Sequence, residues 1–234
     1  MDSNRRTALI AGVWFILTFV FSIPAALFLY TPILDDPNYI VSAGDDSRIQ
    51  LGAFLEVLTA IANIATAVVL YRILRRQSEA ISIGYVALRV VESTLIVVGL
   101  ISLLSIVTLR QEAGGADSAS LVLAGRSLVT FHDWTMLLGP AYCAGFGNGL
   151  LLGYLMYKSG LVPRPMALLG LIGGPLLFFA ATAVLFGAFE QMSAPSFLLT
   201  LPEIVWEFSL GIYLIFKGFR PSPILGEKYV GAAR

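Results

Sequence analysis

The stretch YVALRVVESTLIVV, residues 85–98, sits inside an apolar run, 80–108, that is long enough to cross a bilayer. Yet it carries Arg89 and Glu92, opposite full charges at positions i and i+3. A spanning helix needs about 20 apolar residues to cross roughly 30 Å of hydrocarbon. Working outward, five further runs of that kind appear at 8–30, 51–71, 131–157, 167–189 and 198–217. Their apolar residues are continuous rather than alternating, so the spans are helices and not the strands of a membrane barrel. The expected fold is all-α: a polytopic membrane helical bundle with six transmembrane helices, forming one integral-membrane domain over residues 1–234.

The composition agrees. Of 234 residues, 57% are hydrophobic and 13% are charged, about half the charged share of an ordinary soluble domain, and the mean hydropathy is +0.83. The net charge is zero, so no basic face argues for nucleic acid. A single cysteine, Cys143, excludes an intrachain disulfide and a cysteine metal cluster, and a single histidine, His132, argues against a multi-histidine metal site. No nucleotide loop or zinc-protease motif is present, and no cofactor is implied. Arg5 and Arg6 precede the first span, but its apolar stretch exceeds the roughly 7–15 residues of a signal peptide and no clean cleavage site closes it, so it reads as a retained span.

Lysine and arginine set the orientation. Arg5, Arg6, Arg72, Arg75, Arg76, Lys158, Arg164, Lys217, Arg220, Lys228 and Arg234 fall at the N-terminus, in the loops after the second and fourth spans, and in the C-terminal tail. The alternate loops hold Arg48, Arg110 and Arg126, with Asp35, Asp36, Asp45, Asp46, Glu112 and Asp117. The positive-inside rule then places both termini in the cytoplasm, which an even number of spans requires. Residues 111–120, QEAGGADSAS, read as an outer loop, and 121–130 as a short interfacial helix or an extension of the fourth span.

Ionisable residues inside spans are costly and normally face the bundle interior. Glu92 and Glu207 lie near the centres of the third and sixth spans, and Arg89 lies one turn from Glu92. Glu203 shares a helical face with Glu207 at i−4. Glu56 lies outward of centre in the second span, His132 and Asp133 open the fourth, and Asn148 and Tyr142 lie farther along it. Two arrangements stay open. Arg89 and Glu92 neutralise each other as a plain pair, or Glu207 joins them, so that one carboxyl keeps a proton because burial disfavours its charged form. A protonatable carboxyl beside a fixed cation is a usable general acid or proton carrier, which singles out Glu92 and Glu207. Thr200 to Glu203 and Thr130 to Asp133 also have the spacing of helix-start capping boxes. His132 at the interface reads as solvated, and Asn148 as glue between helices.

RRTALIAGVWFILTF at the start, LLLGYLMYKSGLVPRPMALLGLIGG at 150–174 and EIVWEFSLGIYLIFKG at 203–218 resemble a bacterial family of small multi-pass membrane proteins, domain of unknown function 4386. The resemblance implies that Glu207, Arg89 and His132 fall on family positions in the sixth, third and fourth helices. It also implies that members often carry a second histidine where this chain has Asn148, which weakens a metal site further. It implies no activity.

Three functions fit these residues. One is binding or transport of a small amphipathic or lipid-like ligand in an outward-facing cavity of a bacterial plasma membrane, with buried carboxylates exchanging a proton; six spans are few for a lone transporter, so a homodimer is expected. The second is an intramembrane enzyme using Glu92 or Glu207 as general acid on a lipid or isoprenoid, with Trp206 and Tyr213 shaping its pocket. The third is a structural or regulatory subunit whose charges serve assembly. The shape of any cavity separates them.

Overall fold

A computed structural model describes residues 2–42, 44–112 and 114–226. Lys228 and Arg234 of the charge pattern lie outside the described residues. Among the described residues the chain is all-α. Five helices are long and apolar enough to cross a membrane: α1 (Ser3–Leu29), α2 (Asp46–Leu74), α3 (Glu79–Glu112), α5 (Arg164–Leu185) and α6 (Ala194–Phe216). The remaining helical run, α4 (118–159), is longer than the span expected at 131–157, because 121–130 lengthens it rather than forming a separate helix. The other helices begin and end one to five residues from the expected limits. The largest shifts are at the starts of α1, at Ser3 rather than 8, and of α2, at Asp46 rather than 51.

Each helix packs beside its neighbour in sequence, and α6 returns to α1, so the six form a ring. Short connections enforce this antiparallel order. The turn between α2 and α3 takes 75–78, and Gly160, with φ 68°, caps α4 in the left-handed conformation before Pro163 and Arg164 start α5. Outward faces stay apolar: Val20, Ile61, Val68, Ile101, Phe179 and Phe208 are all exposed. An apolar outside around a polar inside is stable only where the surroundings are apolar too, so this is a membrane protein.

The apolar core is split. One cluster, with Phe15, Leu70, Tyr85, Leu155, Trp206 and Leu214, lies at the end that carries Ser3 and Gly226. The other, with Ile33, Ile40, Ile49, Leu103 and Ile106, lies at the opposite end, where the short helix Thr31–Asp35 folds over the bundle. Between them the interior is polar: Glu56, Asn63, Arg89, Glu92, His132, Asn148 and Glu203 are all buried in this layer.

Helix α4 is not uniform. Its ladder widens to π-helical turns at Leu137–Ala141 and Gly145–Leu152. Pro140 lies in the first of these. It has no N–H to donate and its ring collides with the carbonyl one turn back, so the hydrogen-bond register shifts there. The second wide turn brings α4 against α5, where a Cβ on Gly149 would stand 2.2 Å from the Cα of Gly174. Only glycine permits that approach.

Candidate functional site

At the centre of the polar layer, Arg89 of α3 donates from Nη1 to Glu92 Oε2 at 2.8 Å. The same guanidinium donates to Asn63 on α2, to Oδ1 at 2.5 Å and to the main-chain oxygen at 3.4 Å. Asn63 Nδ2 donates in turn to Glu92 Oε1 at 3.2 Å. Both carboxylate oxygens are engaged, and Ser93 bridges the same helices by donating to the carbonyl of Ala60. This closed triangle is the pairing that Arg89 and Glu92 suggest, completed by an amide that the reading of the spans omits. Asn63 was discoverable: it is a lone amide inside an apolar run, seven residues from Glu56 and so on nearly the same face of α2.

Glu207 approaches from α6, and its charge is near enough to act on Arg89 and Glu92. Its hydrogen bond, however, comes from Asn148 Nδ2 at 2.6 Å, not from Arg89. Trp206 Nε1 donates to the main-chain oxygen of the same Asn148 at 3.0 Å. The wide turn of α4 thus holds one residue against α6 through both its backbone and its side chain. Asn148 joins helices, as its type suggests, and the helix it joins carries the carboxyl in question.

Glu203 lies one turn from Glu207 and is 2% exposed, and neither of its oxygens has a hydrogen-bond partner. It does not cap a helix. α6 starts at Ala194 after Ser193, so Thr200 sits inside the helix with its hydroxyl bonded to the carbonyl of Ser196 at 2.8 Å. The second capping reading fails in the same way, since Thr130 bonds to the carbonyl of Arg126 inside α4. A Thr-x-x-acid spacing is also an ordinary i, i+3 face within a helix, and the interior use prevails here.

A second group lies toward the end covered by Thr31–Asp35. Tyr30 donates to Glu56 Oε2 at 3.3 Å, and its ring meets that of His132 edge-on with centroids 6.1 Å apart. His132 is buried rather than solvated, because the longer α4 carries it into the bundle. Its Nδ1 lies 3.3 Å from the exposed Asp133 carboxylate, and its Nε2 has no partner. Tyr142 stands apart on the α5 side, donating to Thr182 at 3.1 Å and packing edge-on against Phe178. The structure therefore brings Arg89, Glu92, Asn148, Glu203 and Glu207 into one region, puts Glu56 and His132 in another, and leaves Asp133 and Tyr142 at the margins. Among the described residues, no three or more His, Cys, Asp or Glu side chains converge as a metal site would require.

A cleft of about 710 Å³ opens between α1, α4, α5 and α6 at the end bearing Thr31–Asp35. Its walls include Leu27, Met136, Leu137, Leu177 and Val184, and Thr31, Asp35, Asp133, Gln191, Ser196 and Thr200 supply its polar groups. On three helices its lining comes within about one turn of the polar layer: Ala141 lies one turn from Gly145 on α4, Leu177 one turn from Gly173 on α5, and Thr200 one turn from Glu203 on α6.

A ring of apolar-faced helices around a charged, hydrogen-bonded layer defines a multi-pass membrane protein. The chain belongs to the family described as Domain of unknown function (DUF4386), whose model matches residues 10–218. Searches of curated proteins and of solved structures give no match.

Proposed function

We propose that this protein spans the bacterial plasma membrane six times, with both termini cytoplasmic, and binds or moves a small amphipathic ligand in coupling with a proton held among Glu92, Glu203 and Glu207. The cleft carries this reading. Its volume falls within the roughly 300–1,000 Å³ of small-ligand sites, and its walls are apolar beneath a polar rim. The rim contributes Asp35 and Asp133 and no lysine or arginine, which favours a neutral or cationic headgroup over an anionic one. The positive-inside rule puts this end of the bundle outside the cell. Glu92 is the member of the group least suited to act as a general acid, since Arg89 and Asn63 occupy both its oxygens.

The test is binding of a fluorescent single-chain amine to the purified protein in nanodiscs. Thr200→Trp, which fills the cleft, should abolish saturable binding that the unmodified protein shows; equal binding by both proteins rejects the cleft as the site. Glu207→Gln, which keeps size and hydrogen bonding but removes a charge beside Glu203, should keep the fold and shift the pH at which that binding changes.

A further inference from the structure

Among the described residues, Glu203 is a buried acid whose two carboxyl oxygens both lack a hydrogen-bond donor and a paired cation. Arg89, the buried cation of this region, is already engaged by Glu92 and Asn63. Glu207 has the amide of Asn148. Glu203 has neither donor nor cation, and it sits in a slot walled by glycines. A Cβ on Gly149 of α4 or on Gly173 of α5 would stand 2.8 Å from its Oε2. Two helices thus lack side chains where this carboxyl lies. An ionised carboxylate enclosed in this way, without partners, carries a desolvation cost that the bundle does not offset. A metal cation would need about six oxygen ligands, and the slot offers the C–H faces of glycines in their place. A proton needs one.

We propose that Glu203 is a proton-binding site at the base of the cleft, taking its proton from water in the cleft one helical turn above and returning it there. The proposal rests on the proton-linked part of the function given above and names the carboxyl that does the exchange. The charges that face it are Glu207 on its own helix and Arg89 and Glu92 on α3. The parts of α4 and α5 against it present Gly149 and Gly173. Arrival of a proton converts the carboxylate to a neutral acid and lowers the negative charge of the Glu203–Glu207 pair by one. Its departure restores that charge, and the like charge of Glu207 then favours recapture.

Infrared spectroscopy of the ligand-free protein in lipid reads this directly, because a protonated carboxyl shows a C=O stretch separate from the amide bands. The unmodified protein at neutral pH should show such a band, it should fade as the buffer is made alkaline, and Glu203→Gln should lose it. A band of undiminished size in Glu203→Gln, or none in the unmodified protein, overturns the proposal. Loss of the band on adding sodium chloride at fixed pH overturns it in favour of a metal cation. If Glu203→Gln does not fold, the unmodified protein treated with dicyclohexylcarbodiimide, which reacts with buried protonated carboxyls, decides by peptide mass: an adduct on Glu203 supports the site, and adducts elsewhere only, or none, reject it. Because no ligand is present, an empty cleft leaves these spectra unchanged, and a missing band leaves the amine-binding result standing.

Discussion

Arg89 is 1% exposed and holds three hydrogen bonds across two helices. Arg89→Leu should therefore destabilise the fold by about 3–5 kcal/mol, because it strands the Glu92 carboxylate. Unfolding in mixed detergent and dodecyl sulfate micelles measures this, and a much smaller loss in a Glu92→Leu background would identify the stranded charge as the cause. Sequence alone supports the Arg89–Glu92 pair, since i, i+3 spacing is a local property. The third member, Asn63, comes from another helix, and rotation of one helix about its axis against another leaves no trace in either sequence. Outside the spans, Tyr39 donates to Asp46, to which Arg110 is also paired. Burial, then the Asp46 carboxylate, holds its phenol above the usual tyrosine value, with Arg110 pulling the other way. A raised folded value means that this contact contributes fully below the unfolded range, about 10, and is lost as pH climbs through the folded one. Thermal unfolding in increasingly alkaline buffer should show that loss in the unmodified protein and not in Tyr39→Phe.

At the scale of the element, the packing of α4 on α5 depends on side chains that are not there. Gly149→Ala places a methyl 2.2 Å from Gly174 and 2.8 Å from Glu203 Oε2. It should cost about 1–3 kcal/mol as overpacking. By contrast Thr200→Ala, in the middle of α6, should change stability by less than about 0.5 kcal/mol, whereas a true cap would cost about 1 kcal/mol; the same unfolding assay separates these outcomes. The capping reading was wrong for a reason particular to membranes. Pro202 inside α6 looks like a helix start in a water-soluble chain, but within a bundle neighbouring helices satisfy the backbone that proline frees. The length of α4 was partly legible: the structure takes the alternative in which 121–130 lengthens the fourth span, whereas Ser118 to Ser120, polar enough to read as outer loop, open the helix after the Asp117 cap.

For the molecule as a whole, the apolar runs made the helices legible, and the sequential ring follows from short loops. The cleft was not legible, because it is a volume left between four helices and depends on how they pack together, not on any one run of sequence. The topology is open to direct measurement. In a Cys143→Ala background, single cysteines at Ser42 or Ala119 should react with an impermeant maleimide added to intact cells, and one at Ser78 should react only after the membrane is opened. The reverse pattern would invert the bundle and turn the cleft toward the cytoplasm.

The triangle of Arg89, Glu92 and Asn63 also bears on how the chain is made. During synthesis α3 must leave the translocon carrying an arginine within its apolar run, at an insertion penalty of up to about 3 kcal/mol for that residue alone. Glu92 travels with it on the same helix, but the amide that closes the arrangement is on α2, which emerges first and is joined to α3 by the short turn at 75–78. Partition into lipid as a preassembled hairpin avoids exposing that charge, whereas partition one helix at a time does not. Fused to a glycosylation reporter, α3 alone should insert less completely than the α2–α3 pair, and Asn63→Leu should remove the advantage of the pair. The polar contact that stabilises the finished bundle would then also determine the order in which its pieces can enter the membrane.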